Sequence, residues 1–162
     1  MDDLKLLDAL KADPRISTVD LADILNESEE EVIKSKERLE KEKIICGYHT
    51  VIHWDKTNRD HCTAIIEVGA KPERDLGYDK VAQALARFPE VSSVYLVSGK
   101  SEFLVTINGR TMREVADFVG QKLAPIEGVE HTVTCFVLRA YKLEGVHLTE
   151  TEEKNERLLV TP

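Results

Sequence analysis

Hydrophobic and polar positions follow two different periods along the second half of the chain. Four short runs are rich in β-branched and aromatic residues, which predicts β-strands. These runs occupy residues 62–69, 91–98, 102–108 and 129–141. Residues 78–88 and 111–123 instead place apolar side chains three and four positions apart, which predicts amphipathic helices ended by Pro89 and Pro125. The order β-α-β-β-α-β is that of a ferredoxin-like domain.

The predicted sheet has a second apolar face that this topology leaves open. Residues 91–108 predict a hairpin that turns around Gly99. Its second strand points Phe103, Val105 and Ile107 to one face and Leu104 and Thr106 to the other. Two right-handed crossovers place both helices on the same face of the sheet. The other face therefore needs a cover from outside the chain, and we expect a second copy of the protein, which makes a homodimer.

The first half of the chain has the helical period throughout. Helices are predicted at residues 3–12, 18–25 and 28–43, with Ser17 and Ser28 as N-caps of the last two. Leu4, Leu7 and Leu10 predict the apolar face of the first helix, and Asn26 suits the left-handed conformation of a tight turn. Three short helices with a tight turn before the third form a helix-turn-helix unit, whose third helix reads DNA.

Charge does not by itself favour DNA. The 162 residues carry a net charge of −8, and the first 53 residues contain 8 basic and 13 acidic side chains. Residues 34–43 are the local exception, with five basic and three acidic residues. They are either a DNA-reading face or a solvated face whose lysines and arginine pair with neighbouring glutamates.

The connecting segments and the termini complete the domain plan. Residues 1–53 form the helix-turn-helix domain and end in a β-prone wing or hinge strand at 44–53. A polar linker at 54–60 leads to the ferredoxin-like domain at 61–143, and an acidic tail at 144–162 holds a possible closing strand at 157–160. The fold class is therefore α+β, a winged helix-turn-helix followed by a ferredoxin-like domain.

Several functions are disfavoured by what the sequence lacks. The three cysteines are widely spaced, which suits reduced thiols in the cytoplasm and provides no metal-binding cluster. No apolar run is long enough to cross a membrane, and the acidic N-terminus is unlike a signal peptide. We find no nucleophile–base motif or phosphate-binding loop, so we expect no catalytic residues and no cofactor.

These features, in this order, resemble the leucine-responsive/asparagine-responsive (Lrp/AsnC) family of transcription regulators, from about residue 4 to residue 141. The resemblance is carried by Asp13-Pro14-Arg15-Ile16-Ser17, Leu21-Ala22, Arg38-Leu39-Glu40, Ile45-Cys46-Gly47-Tyr48, Val97-Ser98-Gly99, and Gly128-Val129 before Thr132 and Thr134. It implies a cytoplasmic regulator that binds double-stranded DNA. It also implies a RAM/ACT-like second domain that dimerises through its open sheet face, often builds octamers, and binds an amino-acid effector.

Candidate site residues follow for both functions. The basic third helix and the serine caps at helix N-termini provide the DNA-binding candidates Ser17, Ser28, Lys34, Lys36 and Arg38. The resemblance assigns the effector candidates Gly99, Lys100, Ser101, Glu102, Thr132 and Thr134. Backbone amides of the turn and Lys100 suit the carboxylate of a free amino acid, and Glu102 suits its ammonium. In the alternative interpretation Gly99 only serves the turn, and both threonines are ordinary strand residues.

The sequence departs from the family at positions that bear on both sites. Lys100 stands where an acidic residue is usual, and Glu102 stands where aspartate is usual, which puts the usual effector specificity in question. Lys43 replaces a glycine, and residues 29–31 are three glutamates at the helix end that approaches DNA. These acids stabilise the helix but repel phosphates. A second hypothesis is therefore a ligand-binding or oligomerising module with weak or lost DNA binding.

Overall fold

The computed structural model describes residues 2–149, which divide into two compact units after Thr50. The first unit contains α1 (Asp3–Ala12), α2 (Thr18–Leu25) and α3 (Glu29–Lys41). No helix within residues 2–149 is long and apolar enough to cross a bilayer.

Local capping sets the ends of these three helices. The side chains of Asp2, Ser17 and Ser28 each accept a backbone N–H in the first turn of the helix they precede. Asn26 follows α2 in the left-handed conformation, at φ 54°. Lys43 follows α3 at φ 60°, and the amides of Lys43 and Ile44 donate to the carbonyls of Glu40 and Leu39. The predicted N-caps and the left-handed Asn26 are confirmed, and α3 ends in a Schellman motif.

The core of this unit corrects one part of the apolar pattern. Leu6 and Leu10 of α1 are buried with Leu21, Val32 and Leu39, whereas Leu4 is 72% exposed. The prediction that Leu4 lies on the apolar face was wrong. Spacing allowed either choice, and the packing of α2 and α3 selected the side of α1 that carries Leu6.

The predicted wing or hinge strand is also absent. Residues 44–53 contain no strand, and a short 3-10 turn, Trp54–Lys56, follows inside the predicted linker. A β-prone segment becomes a strand only when another strand pairs with it, and none within residues 2–149 does so here.

The second unit is a four-stranded antiparallel sheet with two helices against one face. Its elements are β1 (Cys62–Ala70), α4 (Asp79–Ala86), β2 (Val91–Leu96), β3 (Phe103–Gly109), α5 (Met112–Phe118) and β4 (Val129–Phe136). The strand order β2-β3-β1-β4 and the βαββαβ sequence are those of the predicted ferredoxin-like domain. α5 continues as one π-helical turn, Val119–Leu123.

The two faces of the sheet differ sharply in burial. On the helix-covered face, the side chains of Ile66, Val68, Phe103, Val105 and Ile107 are at most 1% exposed. On the open face, Ile65 is 36% exposed, Val133 47% and Tyr95 58%. Leu104 also lies on this open face, between Tyr95 and Glu67 in the strand register. The second apolar face expected from the sequence is therefore present and uncovered in the single chain.

The end of the described chain differs from the prediction. β4 ends at Phe136 rather than at residue 141, and a small hairpin of β5 (Lys142–Leu143) and β6 (Val146–His147) follows. The possible closing strand at 157–160 lies outside the described residues.

Candidate DNA-binding and effector surfaces

The predicted DNA-contacting serines are both at helix N-termini. Ser17 and Ser28 are exposed. The Ser17 hydroxyl oxygen accepts a hydrogen bond from the Asp20 amide at 3.1 Å, and that of Ser28 accepts one from the Glu31 amide at 3.3 Å. Ser17 also donates its hydroxyl proton to the carboxylate of Asp20 at 2.6 Å. A helix N-terminus attracts anions through its free amides and dipole, but the carboxylates of Asp20 and of residues 29–31 in these first turns oppose a phosphate.

The three predicted DNA-binding cations of α3 are placed very differently. The Arg38 guanidinium contacts Asp3 of α1 at 2.7 Å and Glu42 at 3.1 Å. The Lys36 ammonium lies 5.3 Å from the centre of the Tyr48 ring. Lys34 is exposed and makes no ion pair within the described part of the chain. Only Lys34 of the three is therefore ready to meet a phosphate without giving up a contact.

Tyr48 holds Lys36 from the segment that follows α3. Its hydroxyl donates to the Glu40 carboxylate at 2.8 Å. Partial burial, together with this hydrogen bond, raises the pKa of Tyr48 to about 12, so the phenol remains a donor at neutral pH. Tyr48 thus contacts Lys36 through its ring and Glu40 through its hydroxyl.

Two residues of the first unit went unnoticed in the sequence. Asp3 holds Arg38 across 35 positions, and no local pattern signals such a distant pair. Ile33 is 46% exposed and lies about 100° around α3 from the buried Val32. A half-exposed β-branched residue on a reading helix suits contact with a thymine methyl group, and the helical spacing of residue 33 could have shown it.

The predicted effector turn is partly engaged with its own sheet. Gly99 and Lys100 are exposed, but Ser101 is buried and its hydroxyl lies 3.5 Å from the Glu67 carboxylate. One carboxylate oxygen of Glu102 accepts the Ala70 amide at 2.8 Å. Glu102 therefore has one oxygen left for an ammonium ion, and its position is set by the end of β1.

The two predicted threonines lie apart from this turn within one chain. Thr132 and Thr134 of β4 stand opposite the buried Val68 and Ile66, so they are on the helix-covered face. The turn precedes β3, and β1 separates β3 from β4 by two strand spacings, about 10 Å. A single chain does not bring the two halves of the predicted effector site together.

A histidine of β4 opposite the end of β1 also went unnoticed. His131 stands opposite Gly69, and its ring occupies the space that a Cβ at residue 69 would need. Gly69 therefore lets an imidazole lie over the β1 backbone, one residue from the amide that holds Glu102. A glycine inside a strand run is the signal that marks such a close approach.

The segment that enters the sheet unit is anchored by an aromatic cluster. The rings of Trp54 and His61 stack with centres 4.7 Å apart, and the Arg59 guanidinium lies 5.5 Å from the Trp54 ring. His61 is 3.0 Å from the Thr63 hydroxyl, which donates to Asn108 of β3 at 2.9 Å. Partial burial, and then the charge of Arg59, lower the pKa of His61.

No metal centre competes with these sites in the part of the chain that the structure describes. Within residues 2–149, no group of three or more histidine, cysteine, aspartate or glutamate side chains is placed to hold a metal ion.

Comparison with known proteins agrees with both units. Residues 2–40 match the AsnC-type helix-turn-helix domain, and residues 63–146 match the Lrp/AsnC ligand binding domain. The uncharacterized HTH-type transcriptional regulator YugG of Bacillus subtilis (strain 168) is 37% identical over 159 residues, 98% of this chain and 95% of YugG. The leucine-responsive regulatory protein of Rhizobium meliloti (strain 1021) is 29% identical over 140 residues, 86% of this chain and 89% of that protein.

Solved structures share the fold. The structure of AsnC from E. coli aligns with a TM-score of 0.65 at 21% identity, over 88% of this chain and 95% of that one. A transcriptional regulator from Neisseria meningitidis, in complex with L-Met, aligns with a TM-score of 0.69 at 24% identity, over 88% and 93%. Together, the helix-turn-helix unit, the ferredoxin-like unit and the two domain matches show that this chain belongs to the Lrp/AsnC family of transcriptional regulators, not to a family of enzymes.

Proposed function

We propose that this regulator binds specific double-stranded DNA sites in the cytoplasm as a homodimer, and that an amino acid or a related metabolite controls it. The observation that carries the proposal is the open apolar face of the sheet. Ile65, Tyr95 and Val133 leave 36–58% of their surface exposed there, and a second copy of the same face would remove it from water.

Dimerisation would compensate for the low positive charge that one helix-turn-helix unit presents to DNA. Glu29, Glu30 and Glu31 form the first turn of α3, while Arg38 already pairs with Asp3. A single helical unit therefore offers little positive charge to DNA. Two linked units bind two half-sites together, and linkage multiplies affinity without any new contact.

The effector proposal rests on the turn before β3. Gly99 and Lys100 are exposed, and Glu102 keeps one carboxylate oxygen beyond the one that accepts the Ala70 amide. These groups suit a zwitterion, whose ammonium would meet Glu102 and whose carboxylate would meet Lys100 or the turn amides. Since Thr132 and Thr134 lie elsewhere in the same chain, we propose that they reach the effector only across copies, in an assembly of dimers up to an octamer.

Lys34 provides the test of DNA binding. Anisotropy titrations with upstream duplex DNA, at several salt concentrations, would compare wild type, Lys34→Ala and Lys142→Ala. Lys142 is an exposed lysine of the sheet unit, so its variant controls for the same loss of charge. Lys34→Ala is expected to weaken binding and to lower the salt slope by about one for each reader that contacts phosphate. Equal binding by all three proteins would contradict the role of Lys34.

Glu102→Gln provides the test of the effector site. Native mass spectrometry with a panel of amino acids first selects a ligand, and calorimetry then measures its affinity. Glutamine can still accept the Ala70 amide, so the turn should keep its shape. Loss of one charge-assisted bond is expected to weaken binding about ten- to a hundredfold. Equal affinities would show that Glu102 is not the ammonium partner.

The second candidate function is a ligand-binding and oligomerising module whose DNA binding is weak or lost. The engaged Arg38 and Lys36 and the acidic start of α3 favour it. The two candidates differ in their salt dependence, because only phosphate contacts make DNA affinity fall steeply with salt. A wild-type protein that binds amino acids, and shows no salt-sensitive affinity for any upstream duplex, would support the module.

A further inference from the structure

A cavity of about 210 Å³ lies between α5 and the far end of β3 from the effector turn. Ile107, Val115 and Phe118 provide apolar walls, and each is at most 7% exposed. Gly109 lets the end of β3 come this close to α5, since a Cβ there would meet the Val115 side chain at 2.8 Å. The cavity is thus on the helix-covered side of the sheet, away from residues 99–102.

The polar rim of the cavity carries more negative than positive charge. It contains the carboxylates of Glu90 and Glu114, the amide of Gln121 and the ammonium of Lys122. Lys122 donates to Oε1 of Glu90 at 2.9 Å and lies over the Phe118 ring. This ion pair lowers the pKa of Glu90, so that carboxylate is ionised at neutral pH. Two carboxylates against one ammonium give the rim one net negative charge, which favours a cationic ligand over an anionic one.

Both carboxylates also have acceptor capacity that the protein does not use. Oε2 of Glu90 is buried and accepts no hydrogen bond from any other described residue. Oε2 of Glu114 accepts the Arg110 amide at 2.8 Å, whereas its Oε1 has no hydrogen-bond donor between residues 2 and 149. A buried acceptor without a donor, such as Oε2 of Glu90, is rare in folded proteins because losing water without replacement is costly. Glu114 is exposed, so its free oxygen faces solvent.

The helix changes its winding where it meets this rim. Gln121 and Lys122 belong to the π-helical turn Val119–Leu123, in which the Ala124 amide donates to the Val119 carbonyl at 2.8 Å. Single π-helical turns are uncommon and often occur at functional sites, since they redirect side chains that an α-helix would point elsewhere. Here the turn presents Gln121 and Lys122 to the cavity.

We propose that this cavity binds a small amphiphilic primary amine. The ammonium group of the ligand donates to Glu90 and Glu114, and its hydrocarbon part packs against Ile107, Val115 and Phe118. A neutral molecule leaves the excess negative charge unbalanced, and a free amino acid brings a carboxylate toward two others. The site is separate from the proposed effector turn, so its existence does not depend on that proposal.

The test uses 3-methylbutylamine as the probe and the full-length protein. Calorimetry would compare it with 3-methylbutanol, which has the same hydrocarbon part without the charge, and with leucine, which adds a carboxylate. We expect the amine to bind, and Glu90→Gln and Glu114→Gln each to weaken it about tenfold to a hundredfold through loss of a charge-assisted bond. Asp117→Asn, which removes an exposed carboxylate of α5 that does not line the cavity, is the control and should bind the amine as wild type does.

A blocking variant keeps the test independent of the carboxylates. Gln121 is exposed at the rim, so Gln121→Trp should close the mouth while leaving the core and the charges in place. Thermal melting would check that each variant is folded. Amine affinity that is unchanged in Glu90→Gln, Glu114→Gln and Gln121→Trp would overturn the proposal, as would equal binding of the alcohol or no binding of the amine at millimolar concentration.

Discussion

The reader helix of the first unit and the open sheet face of the second differ in how fully their side chains are used within the chain. On α3, Arg38 is held by Asp3 and Glu42, and Lys36 lies against Tyr48. On the open sheet face, Ile65 and Tyr95 remain 36% and 58% exposed. The helical unit has engaged two cations of α3 in contacts of its own, while the sheet unit has left its apolar surface available.

This difference indicates how a net-negative chain can act on DNA. The first 53 residues carry more acidic than basic side chains, so we expect tight DNA binding to need two linked copies. The sheet can hold two copies together because burying apolar area is favourable and needs no exact charge match. In the proposed dimer, the surface that links the two reader helices is then in the sheet unit.

The largest expected effect follows from placing a charge on the open sheet face, where the proposed dimer forms. Leu104→Glu places a carboxylate opposite Glu67, on a half-buried position that the folded monomer does not require. We expect a folded monomer by sedimentation, and a loss of DNA affinity of about 10²–10⁴-fold because both half-sites are no longer linked. Leu138→Glu, at a position 86% exposed and outside the sheet, is the matched control. A Leu104→Glu protein that stays dimeric would place the interface elsewhere.

The next prediction compares the two faces through neighbours in β1. In the monomeric Leu104→Glu background, Ile66→Ala is expected to lower the free energy of unfolding of the sheet unit by about 2–5 kcal/mol. Ile65→Ala in the same background should lower it by less than about 1 kcal/mol, because Ile65 is 36% exposed and Ile66 is fully buried. Urea unfolding of the two variants measures the difference. Similar losses would mean that the open face is covered within the chain.

The smallest expected effect concerns the helical unit alone. Lys43 adopts φ 60° in the Schellman motif that ends α3, a conformation that costs a side-chain-bearing residue more than glycine. Lys43→Gly is therefore expected to stabilise this unit by about 1 kcal/mol, without changing self-association. Thermal unfolding followed by helix circular dichroism would detect the gain. A lower melting temperature would show that the lysine side chain contributes more than its backbone conformation costs.

The sequence by itself determined the features that depend on neighbours along the chain. Ser17 and Ser28 cap their helices, and Asn26 takes the left-handed turn, because each acts on amides or dihedral angles within a few residues. Alternation along β3 likewise assigned Phe103 and Leu104 to opposite faces, since adjacent side chains of a strand must point apart. The order of the elements was enough to indicate the fold and the family.

Only the tertiary structure decided which of these side chains are free to act. Asp3 meets Arg38 across 35 positions, and the Ala70 amide meets Glu102 across 32, distances at which no local pattern predicts a partner. Residues 44–53 have β propensity but no strand to pair with, so they form none. Helical spacing allowed either Leu4 or Leu6 to lie in the core, and the packing of α2 and α3 buried Leu6. Propensity and capping are local energies, whereas pairing, burial and charge neutralisation exist only once distant segments meet.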